Sequence, residues 1–217
     1  MSPLNAAAFG NNFHWGVSIA AAQNEGAYLE GGKSLSNWDA FAKKQGNIKN
    51  GHTPFVTANF YHRYKDDLLI TKALGFNAFR FSIAWSRILP DGTGKSNKQG
   101  IEFYHNLIDE CLKLGLTPFI TLYHWDLPQA VEERGGWANR DTAYRFRDYA
   151  DSVYSALGDR VMHWTTFNEP FCSALLGYAA GIHAPGRQEK DAAVAAVHHQ
   201  HLAHGIGAKM LRERGAN

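Results

Sequence analysis

The chain has 217 residues, of which 45% are hydrophobic and 19% charged, with a formal net charge of +2. That length supports one sizeable hydrophobic core, so a single domain over residues 1–217 is expected. A near-neutral balance points away from nucleic acid or a membrane surface as partner. No apolar run approaches membrane-spanning length, and Met1-Ser2-Pro3-Leu4-Asn5 lacks the regions of a secretory leader, so a cytoplasmic protein is expected. The two cysteines, Cys111 and Cys172, fall at no motif spacing, and reduced thiols are expected.

Four times a short apolar segment leads into a longer helical pattern. Phe13–Ala20 reads as the first strand, followed by a Gly-, Asn- and Ser-rich stretch. A helix over about Ala58–Leu74 comes next, with Gly75 as its C-terminal cap. Ala78–Ile83 alternates side-chain type and predicts the second strand; Pro90-Asp91-Gly92 marks a turn in the loop Leu89–Lys98. A helix from Gln99 to Leu114 ends at Gly115. Thr117–Tyr123 is the third strand, and its helix, Asp141–Leu157, is closed by Gly158. Val161–Phe167 is the fourth strand, and its helix runs over Lys190–Arg214.

Strands alternating with helices imply parallel strands joined by right-handed crossovers. The first three loops leaving strand C-termini are long, whereas the returns Leu74-Gly75-Phe76-Asn77 and Leu114-Gly115-Leu116 are short. Long loops gathered at one face predict an α/β fold of TIM-barrel type, here a parallel (β/α)4 half-barrel with long βα loops. A doubly wound open sheet is the alternative. No glycine-rich phosphate loop follows the first strand, which argues against a dinucleotide cofactor, and none is expected.

The polar residues at the strand ends are Gln23 and Glu25, then Arg80, Ser82 and Trp85, then His124, Trp125 and Asp126, and finally Asn168 and Glu169. In a barrel these converge on one mouth. Amides, an imidazole, a carboxyl and indole faces suit a hydroxyl-rich ligand, which needs donors, acceptors and a surface for its C–H faces. Thr166-Phe167-Asn168-Glu169-Pro170 is the most informative stretch, because the proline stops the strand where Glu169 emerges. Glu25 and Asp39 read as structural groups, and Asp126 as the cap of an Asx-type turn before Leu127-Pro128. His198, His201 and His204 share a helix face but lack a ligand set of metal spacing, so a partly buried histidine face without metal is expected.

The segments FHWGVSIAAAQNEGAY, NAFRFSIAWSRILPDGTG, TPFITLYHWDLPQAVEERGGWANR, TTFNEP and GYAAGIHAPG, in this order, resemble glycoside hydrolase family 1, the β-glucosidase family. They are similar to the N-terminal half of its barrel. The resemblance implies a retaining hydrolase of terminal β-D-glucosyl residues. Glu169 is similar to the family's general acid/base, and Arg80 to the arginine that holds the catalytic nucleophile. Gln23, His124 and Asn168 match residues that bind the glycone hydroxyls, and Trp125 an aromatic of that pocket. Gln23-Asn24-Glu25-Gly26 departs mildly, since the family more often has an aliphatic second residue. The family's nucleophile, in a Glu-Asn-Gly context, has no counterpart in these residues.

That gap matters chemically. A retaining glycosidase works with two carboxyl groups roughly 5–5.5 Å apart, and charge on one raises the pKa of the other. The isolated chain is therefore expected to be weak or inactive. A four-stranded sheet also leaves two open edges, so either a homodimer or a complementary C-terminal half-barrel is the expected partner. The alternative is a weakly active or noncatalytic half-barrel that self-associates as a sugar-binding or scaffold module.

Overall fold

The computed structural model describes residues 6–10 and 12–216. Four strands, β1 (Gly16–Ser18), β2 (Ala78–Ser82), β3 (Thr117–Tyr123) and β4 (His163–Phe167), form one sheet in the order β1-β2-β3-β4. All three pairings are parallel, in a register that aligns Gly16 with Ala78, Arg80 with Phe119 and Thr121 with Thr165. Long helices follow β1 (α3, Phe60–Ala73), β2 (α5, Lys98–Lys113), β3 (α7, Asp141–Leu157) and β4 (α8, Lys190–Glu213). Short helices occupy the long loops: α1 (Ala21–Asn24), α2 (Asn37–Lys43), α4 (Trp85–Ile88) and α6 (Gln129–Glu132). This is the (β/α)4 half of a TIM-type barrel. No described helix is long and apolar enough to cross a membrane.

The sheet's two faces follow from the pleat, which sends alternate side chains to opposite sides. Phe79 and Phe81 pack toward the helices, with ring centroids 5.9 Å from Phe60 and 6.4 Å from Tyr104 respectively. Trp85 stacks on Tyr149 of α7 at 4.7 Å, and the Tyr149 hydroxyl lies within hydrogen-bonding distance of the Ile83 and Leu122 carbonyls. One buried hydroxyl thereby ties α7 to the ends of β2 and β3. On the opposite face Phe119 stacks on His163 at 4.1 Å, with His14 edge-on to both.

Several boundaries differ from those read in the sequence, β4 for one starting at His163 rather than Val161 and β2 ending at Ser82 rather than Ile83, and two of the differences have a local reason. β1 spans three residues rather than Phe13–Ala20, since the Asn77 side chain takes over part of its pairing: Nδ2 donates to the Phe13 carbonyl, and Oδ1 accepts from the Trp15 amide. The helix expected from Ala58 starts at Phe60 because Thr57 and Asn59 hold left-handed backbone, at φ 49° and 55°. The Gly-, Asn- and Ser-rich stretch contains a helix, α2, which Ser36 caps in a capping box with Asp39. Gly75 and Gly115 take positive φ after their helices as expected, but Gly158 does not, at φ −71°. Gly158 is instead needed for space, since a Cβ there would lie 2.6 Å from the Tyr154 carbonyl oxygen.

Candidate active site

Gln23 reaches the mouth on α1, whose first amide, Ala21 N–H, donates to the buried Ser82 Oγ at the end of β2 (2.7 Å). Glu25 lies below it in the core. Its Oε2 accepts from Arg87 Nε (3.1 Å) and its Oε1 from the Tyr104 hydroxyl (2.6 Å), while Arg87 lies over the Tyr61 ring at 4.4 Å. Burial of Tyr104 and the Glu25 charge beside it hold that phenol well above its ordinary range. Glu25 is therefore the structural group expected. So is Asp39, which accepts from Ser36 and pairs with Lys33 Nζ at 2.8 Å.

Arg80 stands on the open face of β2 and reaches β3 and, across it, the end of β4. Nε donates to Thr121 Oγ1 on β3 (2.9 Å), and Nη2 donates to Asn168 Oδ1 just past β4 (2.8 Å). Trp125 completes the link, its Nε1 donating to the Asn168 carbonyl (2.9 Å). Asn168 is thus held by both its main chain and its side chain, and its N–H donates to the Tyr123 carbonyl.

His124 sits half-buried between these groups. Burial, reinforced by the Arg80 charge and opposed by Glu169, lowers its pKa to about 4. Its imidazole is therefore neutral at ordinary pH, able both to donate and to accept. Glu169 is exposed at the rim, and Cys172 Sγ lies 3.5 Å from its Oε2.

Two residues of this mouth, Trp125 (φ 78°) and Glu169 (φ 40°), carry positive φ without being glycine. Such conformations cost of order 1–3 kcal/mol and gather at functional sites. No residue type in the sequence signalled them. Also missed was Trp38, on α2. With Gln23, Ile48, Pro54, His124 and Trp125 it lines a cavity of about 280 Å³ beside the mouth. The signal available was the Ser-x-x-Asp capping box, which places Trp38 on a helix.

Arg80, His124, Trp125 and Asn168 are therefore brought into one bonded or closely packed group, Glu169 follows Asn168 directly, and Gln23 shares the cavity wall with His124 and Trp125. Asp126 behaves differently from expectation. It is buried, receives no hydrogen bond from the Leu127-Pro128 turn, and leaves Oδ1 without a protein partner. Burial, with the Glu25 charge, holds its carboxyl well above the usual range. The histidine face of α8 also departs from expectation in being largely exposed at His198, His201 and His204. His199 and His204 nonetheless find partners, the Trp137 carbonyl and Thr166 Oγ1. Among the described residues no group of three His, Cys, Asp or Glu side chains is placed to hold a metal ion.

Residues 5–217 match the family described as Glycosyl hydrolase family 1. The chain is 45% identical over 210 residues to beta-glucosidase A of Thermotoga maritima, covering 97% of this chain and 47% of that protein. It is 50% identical over 208 residues to thermostable beta-glucosidase B of Thermobispora bispora, covering 96% and 43%. The crystal structure of a psychrophilic beta-glucosidase from Micrococcus antarcticus superposes with a TM-score of 0.93 at 57% identity, covering 94% of this chain and 44% of that one. The chain thus spans about half the length of the relatives it matches. With a family match over nearly every residue and a sheet that superposes on the relatives' own, the chain belongs to glycosyl hydrolase family 1.

Proposed function

We propose that this chain carries the acid/base half of a retaining β-glucosidase site, acting on terminal β-D-glucosyl residues. The observation that carries this reading is the pair of hydrogen bonds from Arg80 and Trp125 that converge on Asn168 and fix its amide beside the rim carboxyl Glu169. Glu169 protonates the leaving glycosidic oxygen and later takes a proton from the attacking water. Gln23, the neutral His124 and Asn168 bind the sugar hydroxyls, and Trp125 offers an aromatic face. Arg80 has two donors committed to Thr121 and Asn168, and no ion pair of its own among the described residues. That leaves it a guanidinium edge for a carboxylate nucleophile supplied from outside residues 1–217.

On this reading activity needs a complementary half-barrel docked against β1 and β4. The names of the relatives support a glucoside as substrate. The two unpaired cysteines support a cytoplasmic protein, and one core cluster spanning all four strands' helices supports a single domain. A second reading, a self-associating sugar-binding module, is favoured by the uncovered His14, Phe119 and His163 face, to which a second copy could pack.

Turnover of a nitrophenyl β-glucoside separates the two. The first expects activity only with the complementary C-terminal half present, and its loss in Glu169→Gln. Activity unaffected by that substitution would overturn the acid/base role. Absence of turnover with the complement, alongside heat on titration with cellobiose, would favour the second.

A further inference from the structure

We propose that Cys172 is a positioning residue for the Glu169 carboxyl group: its thiol donates to Oε2, leaving Oε1 as the oxygen that exchanges a proton with substrate and water. The proposal rests on the acid/base reading of Glu169 and adds which of its two oxygens does the work.

The geometry follows from the turn at the end of β4. Glu169 takes positive φ and Pro170 comes next, so the chain doubles back at once. The Cys172 N–H donates to the Glu169 carbonyl (2.9 Å), and Cys172 Sγ comes to 3.5 Å from Oε2. Cys172 opens a π-helical segment, Cys172–Leu176, a winding that is rare and concentrates at functional sites. The segment is anchored from behind. Ser173, its second residue, is buried and bonds Gln200 of α8, which is only 1% exposed. The thiol is thus held by the main-chain bond on one side and by the Ser173–Gln200 pair on the other.

Among the described residues, Cys172 is the only side chain that hydrogen-bonds the Glu169 carboxyl. A carboxyl group has two oxygens and one transferable proton. A proton on Oε2 would meet the S–H proton head-on, whereas on Oε1 it faces away from the thiol. The thiol also keeps its proton at neutral pH. Burial first, then the hydrogen bond to Glu169 and its charge, push the Cys172 thiol up. Cys111 supplies an internal reference, being fully buried with its thiol pushed up to about 12.

Alkylation by iodoacetamide, followed residue by residue with peptide mass spectrometry from about pH 7 to about pH 10, reads this pair without needing turnover. In Glu169→Gln the Cys172 profile is expected to move to lower pH, with a rate near pH 8 about three- to tenfold higher. Cys111 should stay unreactive in both proteins, showing that the fold is intact. An unchanged Cys172 profile with Cys111 still protected overturns the proposal. The unsubstituted chain gives a second reading. The infrared S–H stretch of Cys172 should lie at lower frequency than that of a free thiol, and a band at the free-thiol position overturns the proposal whatever the variant does. Neither result bears on whether Glu169 is the acid/base, which the turnover of Glu169→Gln tests separately.

Discussion

Arg80 Nη2 donates to Asn168 Oδ1 across 2.8 Å, so a cation from the second strand decides which way the amide beside Glu169 faces. With its oxygen accepting from Arg80, Asn168 keeps its NH2 as the donor end of the amide. The arrangement is a consequence of strand order, since β3 lies between the two residues and Arg80 must span it, resting on Thr121 as it does so.

Replacing Arg80 by lysine keeps the charge but loses the planar fork that serves Thr121 and Asn168 together. Hydrogen bonds to charged groups are worth about 1.5–3 kcal/mol, so roughly 10- to 100-fold weaker saccharide binding is expected. Calorimetric titration with cellobiose measures it. Unchanged affinity would show that Asn168 holds its orientation without Arg80.

The Glu25–Arg87 pair is sealed in the core, with side-chain exposures of 4% and 0%. Glu25→Gln leaves a buried guanidinium without its counter-charge, a change that typically costs about 3–5 kcal/mol. Urea denaturation followed by circular dichroism should show the midpoint fall accordingly. A loss below about 1 kcal/mol would mean that the Ala27 and Glu30 carbonyls, which also receive Arg87, suffice to solvate it.

Gly100 lets α5 approach α4. A Cβ at this position would stand 2.2 Å from the Arg87 carbonyl oxygen, a main-chain atom that cannot swing aside. Alanine there should destabilise the protein by about 1–3 kcal/mol despite its better helix propensity. Thermal unfolding is the measurement, and a stabilised variant would contradict the close approach.

His124 titrates near 4 in the folded chain, against an ordinary value of 6.5. Between those values the unfolded chain binds a proton that the folded chain refuses, so its contribution is complete above about pH 6.5 and is lost as pH falls toward 4. The urea midpoint should decline over that window, and His124→Asn should flatten the decline. An identical slope in the variant would place the pH dependence elsewhere.

β1 and β4 are the two edges of the sheet, and edges left bare recruit other strands. Light scattering is expected to report association of the chain, with the amides of Gly16–Ser18 and His163–Phe167 gaining hydrogen-exchange protection when the complementary half is added. A stable monomer whose edge amides exchange freely with or without that half would refute the docking surface.

Much of this was legible in the sequence. The Asp141–Leu157 helix and the Thr117–Tyr123 strand appear with the boundaries that periodicity gave, because burial on one face is a local pattern that repeats along the chain. Glu169 just past the end of β4 was legible for a different reason, the Asn168-Glu169-Pro170 run that follows the strand. The positive φ at Trp125 and Glu169 was not, since it is imposed by packing on residue types that do not seek it. Nor was the burial of Asp126, whose Asx reading weighed only its near neighbours.

By itself, then, the sequence determined the alternation of strand and helix, the family, and the position of one carboxyl group at the barrel rim. Tertiary structure decided what surrounds that carboxyl. Arg80 finds Asn168 across 88 positions, Trp125 finds its carbonyl across 43, and Arg87 finds Glu25 across 62. Pairings at such separations depend on how long loops close over the strand ends, and no local periodicity records them. Even Cys172, three residues from Glu169, reaches Oε2 through a π-helical turn anchored on α8, a helix that begins at Lys190.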